Sequence, residues 1–428
     1  MINALSMKDK RKGEYPHCRR LLAFLYRKDQ MKPHRSAHNI TRALVIVLGA
    51  SLGTVAIALC EEGAPESKVK MRYRMPSIVM SAHADWPKDP DYRDAMAKFV
   101  VDHGFNVVEG GVDVLDVCRK NGLMVQLGGD QATLNIAPTL RDDPAVFGYF
   151  VSDRRRRDSF PTFAKIARIF EKADPNHPTI FINRAAWNEF GDFAKEVRPM
   201  LLDFYHYHAM PRRHAERYYL YLLMFRGLGE EHGVPVMRCT SSSSPPAVLR
   251  QTIYTSLAYG VKGFHFWTPW IFAHEKDKEG NAVLKDGKLN MYVTLPHLTD
   301  IAKEVRKMSP VLADCRSVAM YHTDPLPISG GKAPGDAWCQ PSGSQLLVGV
   351  LKDEKGGNFL LVTNKHPGMK QEASLSFDAT VSEVKQMDKT TGKWKPLPLE
   401  SGGERRVGKL NLAPGDGELL KVVRVAKQ

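Results

Sequence analysis

Eight short apolar runs between Pro76 and Trp270 end in, or lead straight into, side chains that can carry a charge, a proton or a sugar hydroxyl. SIVMS leads to His83 and Asp85–Trp86. NVVE closes on Glu109, and MVQL runs into Asp130. VFGYFV is followed by Ser152, Asp153 and Arg154, and TIFIN ends at Asn183 before Arg184. LDFYHY carries Tyr205, His206 and Tyr207, with His208 next. VPVMR ends at Arg238, before Cys239, Thr240 and Ser241–Ser244. GFHFW carries His265 and Trp267 and precedes Thr268 and Trp270. Asp153, Glu109 and Asp130 are the catalytic candidates, because carboxylates at neighbouring strand ends can share one bond. His83, Arg154, Asn183, Tyr205, His206, Trp267 and Trp270 are the substrate-binding candidates. Indole faces stack on the C–H faces of sugar rings, and amides, imidazoles and phenols meet hydroxyls.

Other chemistries are poorly supplied. His206 and His208 share one strand face, but no third ligand stands close to them. The six cysteines show no C-x-x-C or Cys/His spacing, and Cys118, Cys239, Cys315 and Cys339 are far apart, leaving room for one disulfide at most. No Gly-rich phosphate loop accompanies the seventh and eighth runs. No metal and no cofactor is therefore expected.

The runs alternate with stretches at helical spacing: Asp91–His103, Asp113–Asn121, Phe160–Ala173, Phe190–Met200, Ala215–His232, Ala247–Tyr259 and Leu295–Met308, the last ending before Pro310. Repeated strand–helix units predict a parallel sheet, and eight of them over about 230 residues fit a (β/α)8 TIM barrel, typically ~250 residues. An open doubly wound sheet would want a Gly-rich first turn, and SAHADWP is not one. After Leu312 the texture becomes short β-patterned runs with turns at Glu354–Gly357, Thr390–Gly392 and Pro414–Gly417. This predicts a C-terminal antiparallel β-sandwich. The expected organisation is a basic leader (1–42), an apolar segment (43–60), a linker (61–75), the barrel (76–312) and the sandwich (313–428).

GYFVSDRRRRDSFPTFAKIARIFEKADPNHPTIFIN, LDFYHYHAM, LRQTIYTSLAYGVKGFHFWTPW and SPVLADCRSVAMYHT resemble exported glycoside hydrolases of clan A. These are relatives of the β-galactosidase-like barrels, and VGVLKDEKGGNFLLVTNK through LNLAPGDGELLKV resembles their small C-terminal β-domain. The resemblance spans roughly residues 76–425 and lies in order and texture rather than one sharp motif. It implies an acid/base glutamate at the end of the fourth strand and a nucleophilic glutamate at the end of the seventh. Asp153 matches the residue before the first, Arg154 stands where that glutamate should be, and VMRCTSS lacks the second. Three readings follow. Other carboxylates serve hydrolysis; or the barrel binds glycan without cleaving it; or Arg154–Arg157 recognise sulfated or uronic sugars, rather than being a solvated loop.

The chain of 428 residues carries a net charge of +14, and residues 1–42 supply +8 of it. Without the Arg154–Arg157 run the remainder is close to neutral. No basic helix interleaved with aromatics and no zinc-finger or RNA-binding signature appears, so nucleic acid is not an expected partner. ALVIVLGASLGTVAIALC (Ala43–Cys60) is uncharged, follows Arg35, His38 and Arg42, and precedes Glu61 and Glu62. That pattern is a secretory signal or a signal anchor. As a helix it reaches about 27 Å at 1.5 Å per residue, just short of the ~30 Å hydrocarbon core. The basic flank orients residues 1–42 to the cytoplasm and the rest outside, so the expected location is secreted, periplasmic or membrane-anchored. Met31 would begin an ordinary signal n-region. Leu59 stands where a lipoprotein signal needs a small residue before Cys60. The expected partners are a polysaccharide or oligosaccharide, anionic ones included, and the membrane if 43–60 is retained.

Overall fold

A computed structural model describes residues 70–152, 157–183, 189–205, 211–242, 244–267, 270–327 and 329–425. The apolar run 43–60 and the arginines at 154–156 lie outside these residues. Among those described, no helix is long and apolar enough to cross a membrane.

Eight strands close a parallel barrel in chain order: β1 (Val79–Ala82), β2 (Val107–Gly110), β3 (Met124–Gly128), β4 (Val146–Ser152), β5 (Thr179–Asn183), β6 (Leu202–Tyr205), β7 (Val236–Ser241) and β8 (Gly263–Trp267). Helices α1 (Arg93–Asp102), α2 (Leu115–Lys120), α3 (Gln131–Ile136), α4 (Phe160–Ala173), α5 (Phe190–Val197), α6 (Pro211–His232) and α7 (Pro246–Ala258) fill the crossovers. All strand C-termini therefore face one end, the mouth. Side chains alternate inward and outward along each strand. Met75, Val79, Val107, Phe147, Ile180, Leu201 and Met237 fill the end opposite the mouth. Gly263 belongs to that layer, since a Cβ there would sit 2.8 Å from Val79 and 2.9 Å from Met237.

Between β8 and α8 (Pro296–Leu312) the chain makes an excursion through β9 (Phe272–His274), β10 (Leu284–Lys285), β11 (Lys288–Leu289) and β12 (Met291–Val293). The expected end of α8 at Met308 is corrected, because the helix carries Pro310 within its last turn. The C-terminal part packs two sheets. One has the order β13 (Arg316–His322), β15 (Leu346–Lys352), β16 (Asn358–Asn364), β22 (Gly417–Arg424), β18 (Val381–Met387), β19 (Trp394–Pro396). The other has the order β14 (Cys339–Ser342), β17 (Gln371–Phe377), β21 (Arg405–Leu412), β20 (Leu399–Gly402). Trp338, Leu346, Leu360, Leu375, Phe377 and Leu420 are among the side chains between them.

Barrel and sandwich belong to one compact unit, Ala56–Gln428. Helix α7 lies between them, which is why Leu249, Ile253, Tyr254 and Leu257 are all buried. Gly349 of β15 lets the sheet close on it, as a Cβ there would sit 2.6 Å from the Ala258 carbonyl oxygen. Ion pairs fix the seam. The Arg250 Nη2 meets Glu304 at 2.7 Å and Asp416 at 2.8 Å, and Lys389 Nζ meets Asp416 and Glu418 at 2.9 Å each. Cys118, Cys239, Cys315 and Cys339 are buried thiols at separate points of the fold. Burial pushes Cys118 and Cys315 up to about 12.

Arg238 corrects a sequence expectation. It alternates with the inward Met237, so it points out of the barrel and not into the mouth. It is 1% exposed between β7, α6 and α7. Its Nη1 donates to Tyr218 Oη (3.0 Å) and Ser256 Oγ (2.9 Å), while Nε and Nη2 have no acceptor. Both acceptors hold other bonds, Tyr218 with Thr255 at 2.6 Å and Ser256 with the Thr252 carbonyl at 2.6 Å. Replacing Arg238 by methionine therefore removes a buried charge that no carboxylate among the described residues compensates, and leaves both acceptors with another hydrogen bond. Arg238→Met is expected to raise unfolding free energy by about 1–4 kcal/mol. Urea unfolding of the two chains checks this, and a less stable variant would contradict it.

Candidate functional site

Four of the inward residues one step nearer the mouth than the apolar plug carry a charge or an amide. Glu109 follows Val107 by two positions on β2, Gln126 follows Met124 on β3, Asp203 follows Leu201 on β6, and His265 follows Gly263 on β8. Barrel closure through β8–β1–β2 brings His265 beside Glu109. His83 enters from the segment after β1. Its carbonyl accepts the Ile271 N–H at 3.0 Å, and Asp85 N–H reaches the Phe272 carbonyl at 2.9 Å, so the post-β8 excursion holds this segment in place.

Glu109 is the centre of the cluster. Its Oε2 lies 3.0 Å from His83 Nδ1 and its Oε1 3.1 Å from His265 Nε2. Gln126 Nε2 donates to Oε1 at 3.3 Å. The Trp86 indole N–H donates to the Glu109 carbonyl at 3.0 Å, fixing the backbone beneath. The Glu109 side chain is 31% exposed, so it meets solvent at the mouth. Behind His265, Asp203 Oδ2 lies 3.4 Å from Nδ1; it is an ion-pair contact, and neither Asp203 oxygen receives a hydrogen bond. Burial acts to raise the Glu109 carboxyl, but hydrogen bonds from His265 and His83 outweigh it and hold the group down at about 2. Burial acts to lower His265, and the Asp203 and Glu109 carboxylates outweigh it, lifting the imidazole to about 9. The series Asp203–His265–Glu109–His83 thus alternates carboxyl and imidazole groups.

The structure unites three of the residues singled out at the strand ends: the catalytic candidate Glu109, the binding candidate His83, and His265. Asp130 is placed otherwise: it caps α3, its Oδ1 accepting the Thr133 N–H at 2.8 Å, and hydrogen bonds within that cap hold its carboxyl below its ordinary value. Tyr205 closes β6 in register with Cys239 and is half-buried. Asn183 and Trp267 are the last residues of β5 and β8, at the mouth end. Asp153, Arg154 and His206 lie outside the described residues. Trp270 is 51% exposed, with the Lys276 ammonium 6.0 Å from its ring centre and paired to Asp85 at 2.7 Å, so it stands on the rim. Arg157, the last of the four arginines, is engaged by α5, at 2.9 Å from Asp192 and 3.6 Å from Glu196.

Sequence reasoning did not include Gln126 and Asp203, nor pair His265 with Glu109. The signal for Asp203 was a carboxylate inside the apolar run LLDFY, at a position that a strand must bury.

No protein-family model matches the chain, and no curated protein matches it. Among solved structures it is similar to a GH27 β-L-arabinopyranosidase from Geobacillus stearothermophilus, at 10% identity and a TM-score of 0.45, covering 82% of this chain and 97% of that one. It is similar to an endo-β-1,4-mannanase from Thermotoga petrophila, at 12% identity and TM-score 0.41, covering 83% and 99%. The catalytic domain of GH30 xylanase C from Talaromyces cellulolyticus matches at 10% identity and TM-score 0.42, covering 83% and 99%.

Proposed function

We propose that the chain is a glycoside-hydrolase-like protein that acts on an oligosaccharide or polysaccharide at the barrel mouth, outside the cytoplasm. The observation that carries this reading is Glu109: a solvent-facing carboxylate at a strand end, oriented by two imidazoles and an amide. Such a group can hold a sugar hydroxyl and stabilise positive charge that develops at an anomeric carbon. The exposed Trp270 on the same rim offers a face for a sugar ring. The basic flank and uncharged run of residues 35–60 support export. Hydrolysis needs a second carboxyl as proton donor, and Asp153 after β4 is the residue assigned to that task.

A second reading, glycan binding without cleavage, is favoured by one observation. Asp203, the other carboxylate of the cluster, is sealed behind His265 at 1% exposure and cannot meet a glycosidic oxygen.

The test uses the purified full chain against activated glycosides, mannan, xylan, arabinan and uronic polymers, reading turnover and affinity together at two salt concentrations. Saccharide binding is expected, and Trp270→Ala should weaken it about 2–12-fold, the loss of one stacking contact of roughly 0.5–1.5 kcal/mol. Turnover supports the hydrolase, and binding without turnover supports the second reading. Neither binding nor turnover on any polymer overturns both.

A further inference from the structure

We propose that the barrel mouth binds one divalent transition-metal ion of the zinc class through His83 Nδ1, Glu109 and His265 Nε2. The three ligand atoms, from the first, second and eighth strand ends, all lie within 4.8 Å of one another. Around an ion held at about 2.0–2.1 Å, tetrahedral donors stand about 3.3–3.4 Å apart. The histidines reach the two oxygens of the one carboxylate, at 3.0 and 3.1 Å, and no ligand atom lies more than 4.8 Å from another, so no change of strand register is needed to share an ion.

The surroundings of His265 and Glu109 match what such a site requires, while His83 Nε2 is buried with no hydrogen-bond partner among the described residues. A ligating imidazole is oriented by what its other nitrogen meets. His265 presents Nε2 to the cluster and turns Nδ1 to the Asp203 carboxylate at 3.4 Å. That carboxylate is buried, and no hydrogen-bond donor reaches either of its oxygens, so it has no other described task. The Gln126 amide orients the Glu109 carboxylate in the same way. His83 and Glu109 are 20% and 31% exposed, which leaves the solvent side of the ion open for water or a sugar hydroxyl. Two nitrogens and one carboxylate select zinc, cobalt or nickel over calcium and magnesium, which prefer sets made of oxygen.

This inference rests on the same mouth as the saccharide reading but replaces direct contact between Glu109 and sugar by contact through the ion. The experiment therefore reads the ion alone. The purified full chain is stripped with chelator, dialysed, and titrated with zinc chloride; bound metal is counted by elemental analysis, and cobalt is followed by its visible absorption. One zinc per chain is expected, with no comparable uptake of calcium or magnesium. His83→Ala and His265→Ala should each weaken binding at least 100-fold. Asp203→Asn should weaken it about 10–100-fold, the usual effect of losing a carboxylate behind a ligating histidine. His232→Ala, at the far end of α6, should leave it unchanged. His265 is buried, so its variant is judged only where thermal melting shows a folded chain; His83, 20% exposed and on the segment after β1, keeps the test decisive without it. No stoichiometric zinc, or zinc that survives His83→Ala, overturns the inference. Saccharide binding without zinc would sink the ion and leave the functional reading standing. Zinc without saccharide binding would do the reverse.

Discussion

If the chain cleaves glycosides as proposed, Glu109→Gln is expected to slow turnover about 10²–10³-fold, the usual effect of removing a group positioned to stabilise transition-state charge. The substitution keeps the shape of the side chain, and Gln126 can still donate to the remaining carbonyl oxygen. What it removes is the negative charge between His83 and His265. Those imidazoles then face an amide, one of whose faces donates toward them. The carbonyl of Glu109, which receives the Trp86 indole N–H, is untouched, so the strand end stays in place. The loss should accordingly fall on kcat/KM with a folded chain. If the glycan is bound and not cleaved, the same variant loses affinity instead. Kinetics and calorimetry on both chains distinguish these outcomes. Wild-type activity and affinity in Glu109→Gln would remove Glu109 from the site.

Asp174→Ala is expected to cost about 3–5 kcal/mol of stability, the range for breaking a buried, hydrogen-bonded charge. Asp174 follows α4, is fully buried, and closes the loop into β5. Its Oδ2 accepts Tyr149 Oη at 2.6 Å and lies 2.7 Å from His177 Nδ1, while Oδ1 accepts the backbone N–H groups of Asn176 (3.0 Å) and His177 (3.2 Å). Alanine leaves a buried phenol and two loop amides without an acceptor. Burial acts to raise this carboxyl, but the bonds from His177 and Tyr149 outweigh it and hold the group below its ordinary value. A depressed carboxylate stabilises the fold above its unfolded value of about 3.9, and that contribution fades as pH falls through the folded value. The gap between wild type and Asp174→Ala should thus be full at pH 7 and shrink below about pH 4. Urea unfolding across that range measures it. A gap that stays constant into acid would show that packing, and not the charge, sets the cost.

The barrel was legible because its period is written in apolar runs. Phe160–Ala173, Thr179–Asn183 and Gly263–Trp267 are helix and strands residue for residue as the pattern predicts. The elements that escaped are short or polar. Gln131–Ile136 is less than two turns, and CQPS, WKP, LESG and RRVGKLNL form sheet-edge or half-exposed strands that only pairing defines. The site divides in the same manner. Glu109 and His83 could be named because strand ends point to a common mouth. Their partner His265 stands 156 positions from Glu109 and becomes its neighbour only when the barrel closes. Asp130 shows the opposite limit: a carboxylate three residues before a helical Thr133 is as well explained by a cap as by catalysis.

The position of the last strand decides when α7 is covered. β22 pairs with β16 on one side and β18 on the other, in the middle of its sheet. Its first residue, Gly417, lies so close to Tyr254 of α7 that a Cβ would sit 2.5 Å from that ring, and Asp416 just before it holds Arg250. A chain that has completed all eight barrel strands still lacks the cover for α7, and one that stops short of β22 leaves β16 and β18 without the strand that joins them. Burial of the outer face of α7 is thereby postponed until β22 has been made, long after the barrel strands. Removing β22 would uncover Tyr254 and split its sheet between β16 and β18.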